Sequence, residues 1–164
     1  MNLYSILKLA HVLAAFWFIA GIIGRQLIRA HARSSQDVHD FAELSRMAGR
    51  FESLMVIPGN LAVILVGIPL ALVGGWPILG FLQGGSSNWL LVTNLILLLG
   101  FFSVPLIFIP RGKIFDRVLQ SALDAGQITP ELRASLDDPV VKYTHWAENT
   151  GLLIIIVLMV LKPF

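Results

Sequence analysis

Four runs of about twenty mostly apolar residues govern what this chain can become: positions 3–24, 53–75, 88–110 and 143–162. Each has the length a helix needs to cross the hydrocarbon core of a bilayer. In that medium backbone polar groups must be satisfied internally, and continuous apolar runs of this length satisfy them as helices. Together the runs take more than half of the 164 residues. The expected fold is therefore all-α, an integral membrane four-helix bundle forming a single membrane domain over 1–164.

Composition narrows the function classes. With 56% hydrophobic and 13% charged residues the chain lies outside the range of ordinary soluble domains. It has no cysteine, which removes disulfides, thiolate metal ligands and thiol redox chemistry. The first run carries Lys8 inside it, and no clear small-residue cleavage site follows. An uncleaved helix is expected there rather than a secretory signal.

Ten of the twelve Lys and Arg residues fall in two loops: Arg25, Arg29, Arg33, Arg46 and Arg50 after the first run, and Arg111, Lys113, Arg117, Arg133 and Lys142 after the third. The middle loop, WPILGFLQGGSSN, has none. The positive-inside rule makes the two basic loops cytoplasmic and places both termini outside, an N-out/C-out bundle. Basic loops at that surface suit anionic lipid head groups. The net charge of +2 and the lack of a groove-reading motif exclude nucleic acid as a partner.

Both basic loops carry helical periodicity. After Ser35, a candidate cap, QDVHDFAELSRMAGRF spaces Val38, Phe41, Leu44 or Ala48, and Phe51 at three to four residues. KIFDRVLQSALDAG aligns Ile114, Val118, Leu119 and Ala122 and ends at Gly126; ITPELRASLDDP restarts with Thr129 as cap and Pro130 in the first turn. These pieces are expected as amphipathic interfacial helices. Pro58, Pro69 and Pro105 fall within spans, where kinks are expected.

Small and polar residues mark the faces that helices turn toward one another in a membrane. On the first helix His11, Ala14, Phe18, Gly21 and Arg25 form one stripe, and on the fourth Glu148, Gly151, Ile155, Met159 and Lys162 form another. At about 1.5 Å rise per residue, His11 lies roughly 12 Å below the outer boundary and Asn94 roughly 9 Å, with Met159 at a similar level. Imidazole is too short to snorkel from such a depth, and it is a common metal and haem ligand. The alternative for His11 is interhelical glue, bonded to Asn94 or to a backbone carbonyl. Met159 is either core filler or a second axial ligand. Glu148 and Asn60 lie near the level that Arg25 or Arg50 reaches, an expected ion-paired girdle, with a proton relay through Glu148 as the sharper reading. Lys8 and Lys162 are expected to reach water.

The opening pattern of LK, His11, Trp17, Gly21 and Arg25, with a later apolar helix that begins at Trp89, resembles the membrane protoporphyrinogen oxidases called HemJ. Over nearly its whole length, including the ending ENTGLLIIIVLMVLKPF, the chain also looks like an uncharacterised bacterial family of predicted four-helix integral membrane proteins. The HemJ resemblance implies a b-type haem held by the first-helix histidine, here His11. That family's second ligand is a lysine, where the register WLLVT has Thr93, so the resemblance carries the histidine role alone.

The expected function is a redox protein binding haem b, with metal ligation by His11, Asn94 or Met159 beside the same pocket, and Arg25 pairing a propionate or Glu148. It is expected in the bacterial inner membrane as a multi-pass protein, as a homo-oligomer or part of a larger complex. The alternatives are a non-enzymatic accessory or scaffold subunit, whose polar stripes only join helices, and a small transporter resting on Glu148 and Asn60. Orientation has a direct test. A reporter fused after Phe164 reads as extracytoplasmic, and cytoplasmic activity of that fusion reverses the assignment.

Overall fold

The computed structural model describes residues 2–164. The secondary structure of the described residues is all helical, with α1 at Leu3–Ser34, α2 at Val38–Phe51, α3 at Ile57–Val73, α4 at Trp89–Ser103, α5 at Ile109–Asp124, α6 at Pro130–Leu136 and α7 at Pro139–Leu161. A π turn, Glu52–Val56, joins α2 to α3, and another, Val104–Phe108, joins α4 to α5. Four helical stretches are long and apolar enough to cross a membrane: Leu3–Ser34, Val38–Val73, Trp89–Asp124 and Pro130–Leu161. They are compatible with a membrane helix bundle.

Two of these stretches extend well past the apolar runs. The segment expected as a separate piece before the second span instead runs on into it without a break, because nothing between Val38 and Ile57 stops a helix. The piece after the third span likewise continues α4 through α5. Only α6 stands apart, and it starts as its sequence signals: Thr129 caps it by accepting the Leu132 N–H at 3.2 Å, and Pro130 occupies its first turn.

The cap of α2 differs from expectation. Asp37, not Ser35, precedes the first helical residue, and its carboxylate accepts the N–H groups of His39 at 2.8 Å and Asp40 at 3.0 Å. Ser35 instead donates its hydroxyl to the Asp37 carbonyl. A carboxylate two to three residues upstream of free N–H groups also meets the positive end of the helix dipole, which a hydroxyl cannot match.

Prolines act through the π turns. Pro105 is the second residue of Val104–Phe108, and Pro58 follows Glu52–Val56 by two. A proline inside a helix lacks the N–H and crowds the carbonyl four residues back, and widening by one residue absorbs both faults. Pro69 lies within α3 with no such turn.

The chain divides into two compact units, residues up to Gly75 with Ala122–Ile128, and Trp76–Ser121 with Thr129–Phe164. In the first, α1 packs on α2, the π turn and α3. The helices approach through glycine notches: a Cβ on Gly59 would stand 2.9 Å from the Phe18 Cα, and one on Gly21 would stand 2.7 Å from the Met55 Cβ. Close backbone approach of this kind replaces the hydrophobic force that lipid removes. Toward its far end α1 buries Ala32, and α2 buries Val38, Phe41, Ala42 and Ala48 along one face.

In the second unit α4 packs on α7, and Gly151 lets Ile96 close in, since a Cβ there would meet its Cγ2 at 2.9 Å. The loop before α4 is tied down by side chains. Asn88 accepts the Phe81 N–H at 2.9 Å, and a Cβ on Gly80, which has φ of +55°, would come within 2.4 Å of that same oxygen. Asp138 caps α7 through the N–H groups of Val140 and Val141 and also pairs with Arg111.

Two consequences are measurable. Gly59→Ala forces a methyl against the α1 backbone and costs on the order of 1–3 kcal/mol, read as a lowered Tm in detergent. Gly100→Ala, where a Cβ meets nothing within 4 Å, is the neutral control. At Asp37 the Asp40 and His39 amides hold the carboxyl below the usual carboxylate range. The contribution of this cap is present above the ordinary pKa near 4 and is lost as pH falls through the lowered value. Amide exchange in the first turn of α2 therefore accelerates on acidification below about pH 4, and Asp37→Asn removes that dependence.

Candidate functional site

His11 is seated by a glycine. The ring lies half-buried against α3, where a Cβ on Gly67 would come within 3.0 Å of its Cε1 and 3.2 Å of its Nδ1. Any larger residue at 67 pushes the imidazole away. The Nδ1 atom is buried on this side without a geometrically sound hydrogen bond, and the nearby backbone carbonyl is that of Val63, one helical turn before Gly67. The ring thus turns Nδ1 toward α3 at Gly67. Of the two sequence readings, the contact to a backbone carbonyl has a counterpart here. Asn94 has a different use, since its amide donates to the Ile78 carbonyl at 3.1 Å and fastens the loop to α4.

Arg25 is 4% exposed, and its guanidinium pairs with Glu52, the first residue of the π turn. This pairing was not foreseen, because Glu52 sits one residue before the apolar run and reads as loop. The clue was positional: an acid bordering a span opposite a basic residue at the end of the previous one. Beside the pair, Gln26 and Asn60 each bury a polar side-chain atom without a hydrogen-bond partner.

In the second unit His145 Nδ1 lies 3.0 Å from Glu148 Oε2. A spacing of three residues puts both on one face of the helix. Phe108, the last residue of the π turn, stacks on the His145 ring with centroids 4.7 Å apart and planes inclined by 27°. Met159 is half-buried on α7, next to the buried Leu158. Thr93, which stands where the HemJ lysine is expected, is wholly buried and its hydroxyl has no hydrogen-bond partner.

Lys162 is exposed, and its ammonium also meets aromatic rings. It caps α7 in the left-handed region, φ 47°, and its ammonium lies over the Trp76 ring at 4.1 Å and 5.4 Å from that of Trp89. The two indoles meet edge to face at 5.5 Å. The Phe164 carbonyl accepts the N–H groups of Asn88 and Trp89, covering the free donors that start α4. Trp76 and Trp89 thus fasten this segment.

Of the four residues expected around a cofactor, His11 and Arg25 thus belong to the first unit, and Asn94 and Met159 to the second. Among the described residues no three or more His, Asp or Glu side chains are grouped to hold a metal ion. A bare ion with several protein ligands has no such cluster. A macrocycle that brings four of its own nitrogens asks the protein for only one or two axial groups.

No curated protein and no solved structure matches the chain. A family model does, over residues 5–163, under the description "Predicted integral membrane protein (DUF2269)". With four apolar spans and a match over nearly its full length, the chain belongs to that family of integral membrane proteins.

Proposed function

We propose that this protein binds haem b through His11 and serves a redox role in the membrane. The observation that carries the reading is the seat of the ring. Gly67 admits the imidazole, and Nδ1 faces the α3 backbone beside the Val63 carbonyl. An axial histidine is characteristically held this way, with one nitrogen toward a backbone carbonyl and the other toward the metal. Haem b, when bound, supplies one-electron chemistry; the chain supplies the ligand, its orientation and an apolar surround. Arg25 is already engaged by Glu52, so a propionate would compete for it rather than find it waiting.

The accessory or scaffold reading has an observation of its own. The Gly67 seat and the bond from Asn94 to the Ile78 carbonyl are also uses of polar residues to join elements. On either reading the proposed setting is the bacterial inner membrane, with both termini outside and the basic ends of the helices against anionic head groups.

Purified protein incubated with haem b is expected to show a Soret band and, on reduction, sharpened visible bands. His11→Ala loses them, whereas Lys8→Gln, at an exposed position, keeps them. A folded preparation that takes up no haem overturns the redox reading and leaves the accessory reading standing.

A further inference from the structure

We propose that a second copy of this chain docks on the outward face of α7, forming a two-fold homodimer whose seam is pinned by Asn149 of each copy. The proposal is independent of haem at His11.

The face is defined by spacing. Trp146, Asn149, Leu153, Ile156 and Val160 follow one another at intervals of three, four, three and four. That alternation keeps one stripe of a helix against a parallel partner over successive turns. All five residues are exposed, the apolar four from 39% at Ile156 to 73% at Val160. Within its unit α7 turns a different face to α4, marked by Gly151 and the buried Leu158.

Asn149 says what covers the stripe. It stands six residues beyond Tyr143, where the apolar run begins, roughly 9 Å along the helix. Among the described residues no hydrogen bond engages its side-chain amide. A carboxamide is too short to snorkel out from there, and acyl chains offer it neither donor nor acceptor. Leu153, Ile156 and Val160 by themselves have no reason to leave lipid, which is as apolar as they are. The amide supplies the reason. One carboxamide carries two N–H donors and a carbonyl acceptor, so it is complementary to a second copy of itself. The stripe from Trp146 to Val160 holds no ionisable group, so nothing on it selects a charged partner instead.

Symmetry then completes the arrangement. Copies of one chain enter a membrane in one orientation, and a two-fold axis along the bilayer normal sets identical α7 faces side by side, parallel and in register. Each Asn149 donates to the other, and the apolar residues on its C-terminal side interlock at the shallow left-handed crossing that this spacing favours. A single polar position in an apolar seam also fixes the register, because sliding by one turn returns both amides to hydrocarbon.

The chain has no cysteine, so single substitutions to cysteine are read without background. In membranes carrying the full chain, Leu153→Cys, Ile156→Cys and Val160→Cys are expected to give disulfide-linked dimers on oxidation with copper phenanthroline. Ile154→Cys and Leu161→Cys, also exposed but on another face of α7, are expected to give none. Association itself is measured by energy transfer between labelled copies in detergent. Asn149→Leu, at an exposed position, is expected to raise the dimer dissociation constant about three- to thirtyfold, and Asn149→Gln, which keeps donor and acceptor, to leave it near the wild-type value. The proposal is overturned if the wild type stays monomeric, if cross-linking is equal on the two faces or joins α7 to a different protein instead, or if Asn149→Leu associates as tightly as the wild type.

Discussion

Every peptide group that enters hydrocarbon must find its partner within its own segment or on a neighbour, and the rest of this structure follows from that demand. An unpaired N–H or C=O costs several kcal/mol in such a medium, which leaves the helix as the economical way across. The chain obeys even where its sequence offers a reason to stop. Pro58 and Pro105 each delete a donor inside a long helical rod, and at both places the helix widens into a π turn and continues. The loop before α4 meets the same demand with side chains: Asn88, Gln83 and Asn94 reach backbone groups there, and the Phe164 carbonyl takes two of the donors at the head of α4.

With backbone groups satisfied inside each helix, little remains to hold one helix to another. Lipid tails are as apolar as leucine, so burying leucine gains almost nothing, and Leu61, Leu65, Leu99 and Leu106 are left facing outward. Attraction comes from close approach and from polar ties. Gly21 brings α1 onto the π turn, Gly59 brings the α3 backbone onto α1, Gly67 admits His11, and Gly151 admits Ile96. The ion pair of Arg25 with Glu52 adds a tie that an apolar pair could not reproduce, since a buried guanidinium that loses its carboxylate leaves an uncompensated charge. Such a pair contributes less to stability than to register: α1 cannot slide by a turn against the π turn without breaking it.

The spans themselves were legible because hydrophobic run length is a strong, local signal. Helix boundaries were legible only where a cap stood in its usual place. Thr129 and Pro130 announced α6 correctly, while Ser35 misled, since a better acceptor, Asp37, lay two residues on. The interior stripe on α1 read from His11, Gly21 and Arg25 corresponds to residues that meet α3 or the π turn. What could not be read was partner choice. Glu52 was hidden by its position one residue outside an apolar run, and Asn94 was assigned to a pocket when its amide ties down a loop. Long-range pairing depends on the rotation of each helix, and a widened turn resets that rotation in a way no periodicity reveals. The register of α3, extrapolated from α2 at a uniform period of 3.6, is shifted because Glu52–Val56 intervenes.

That resetting links the two units through a common device. In each, a long helix is interrupted by a π turn near a proline, and an ionisable side chain on the partner helix meets that turn: Arg25 meets Glu52 in the first, and His145 meets Phe108 in the second. The sequences at the two places share no residue pattern, so the likeness is one of physics. A proline within a span needs slack, and the slack is an extra residue per turn. The extra residue in turn rotates a side chain out of its place and toward the neighbouring helix, where a polar or aromatic group can receive a charge that hydrocarbon would refuse. The first unit receives it with a carboxylate and makes a permanent tie. The second receives it with an aromatic ring, which lies against the imidazole and holds its plane.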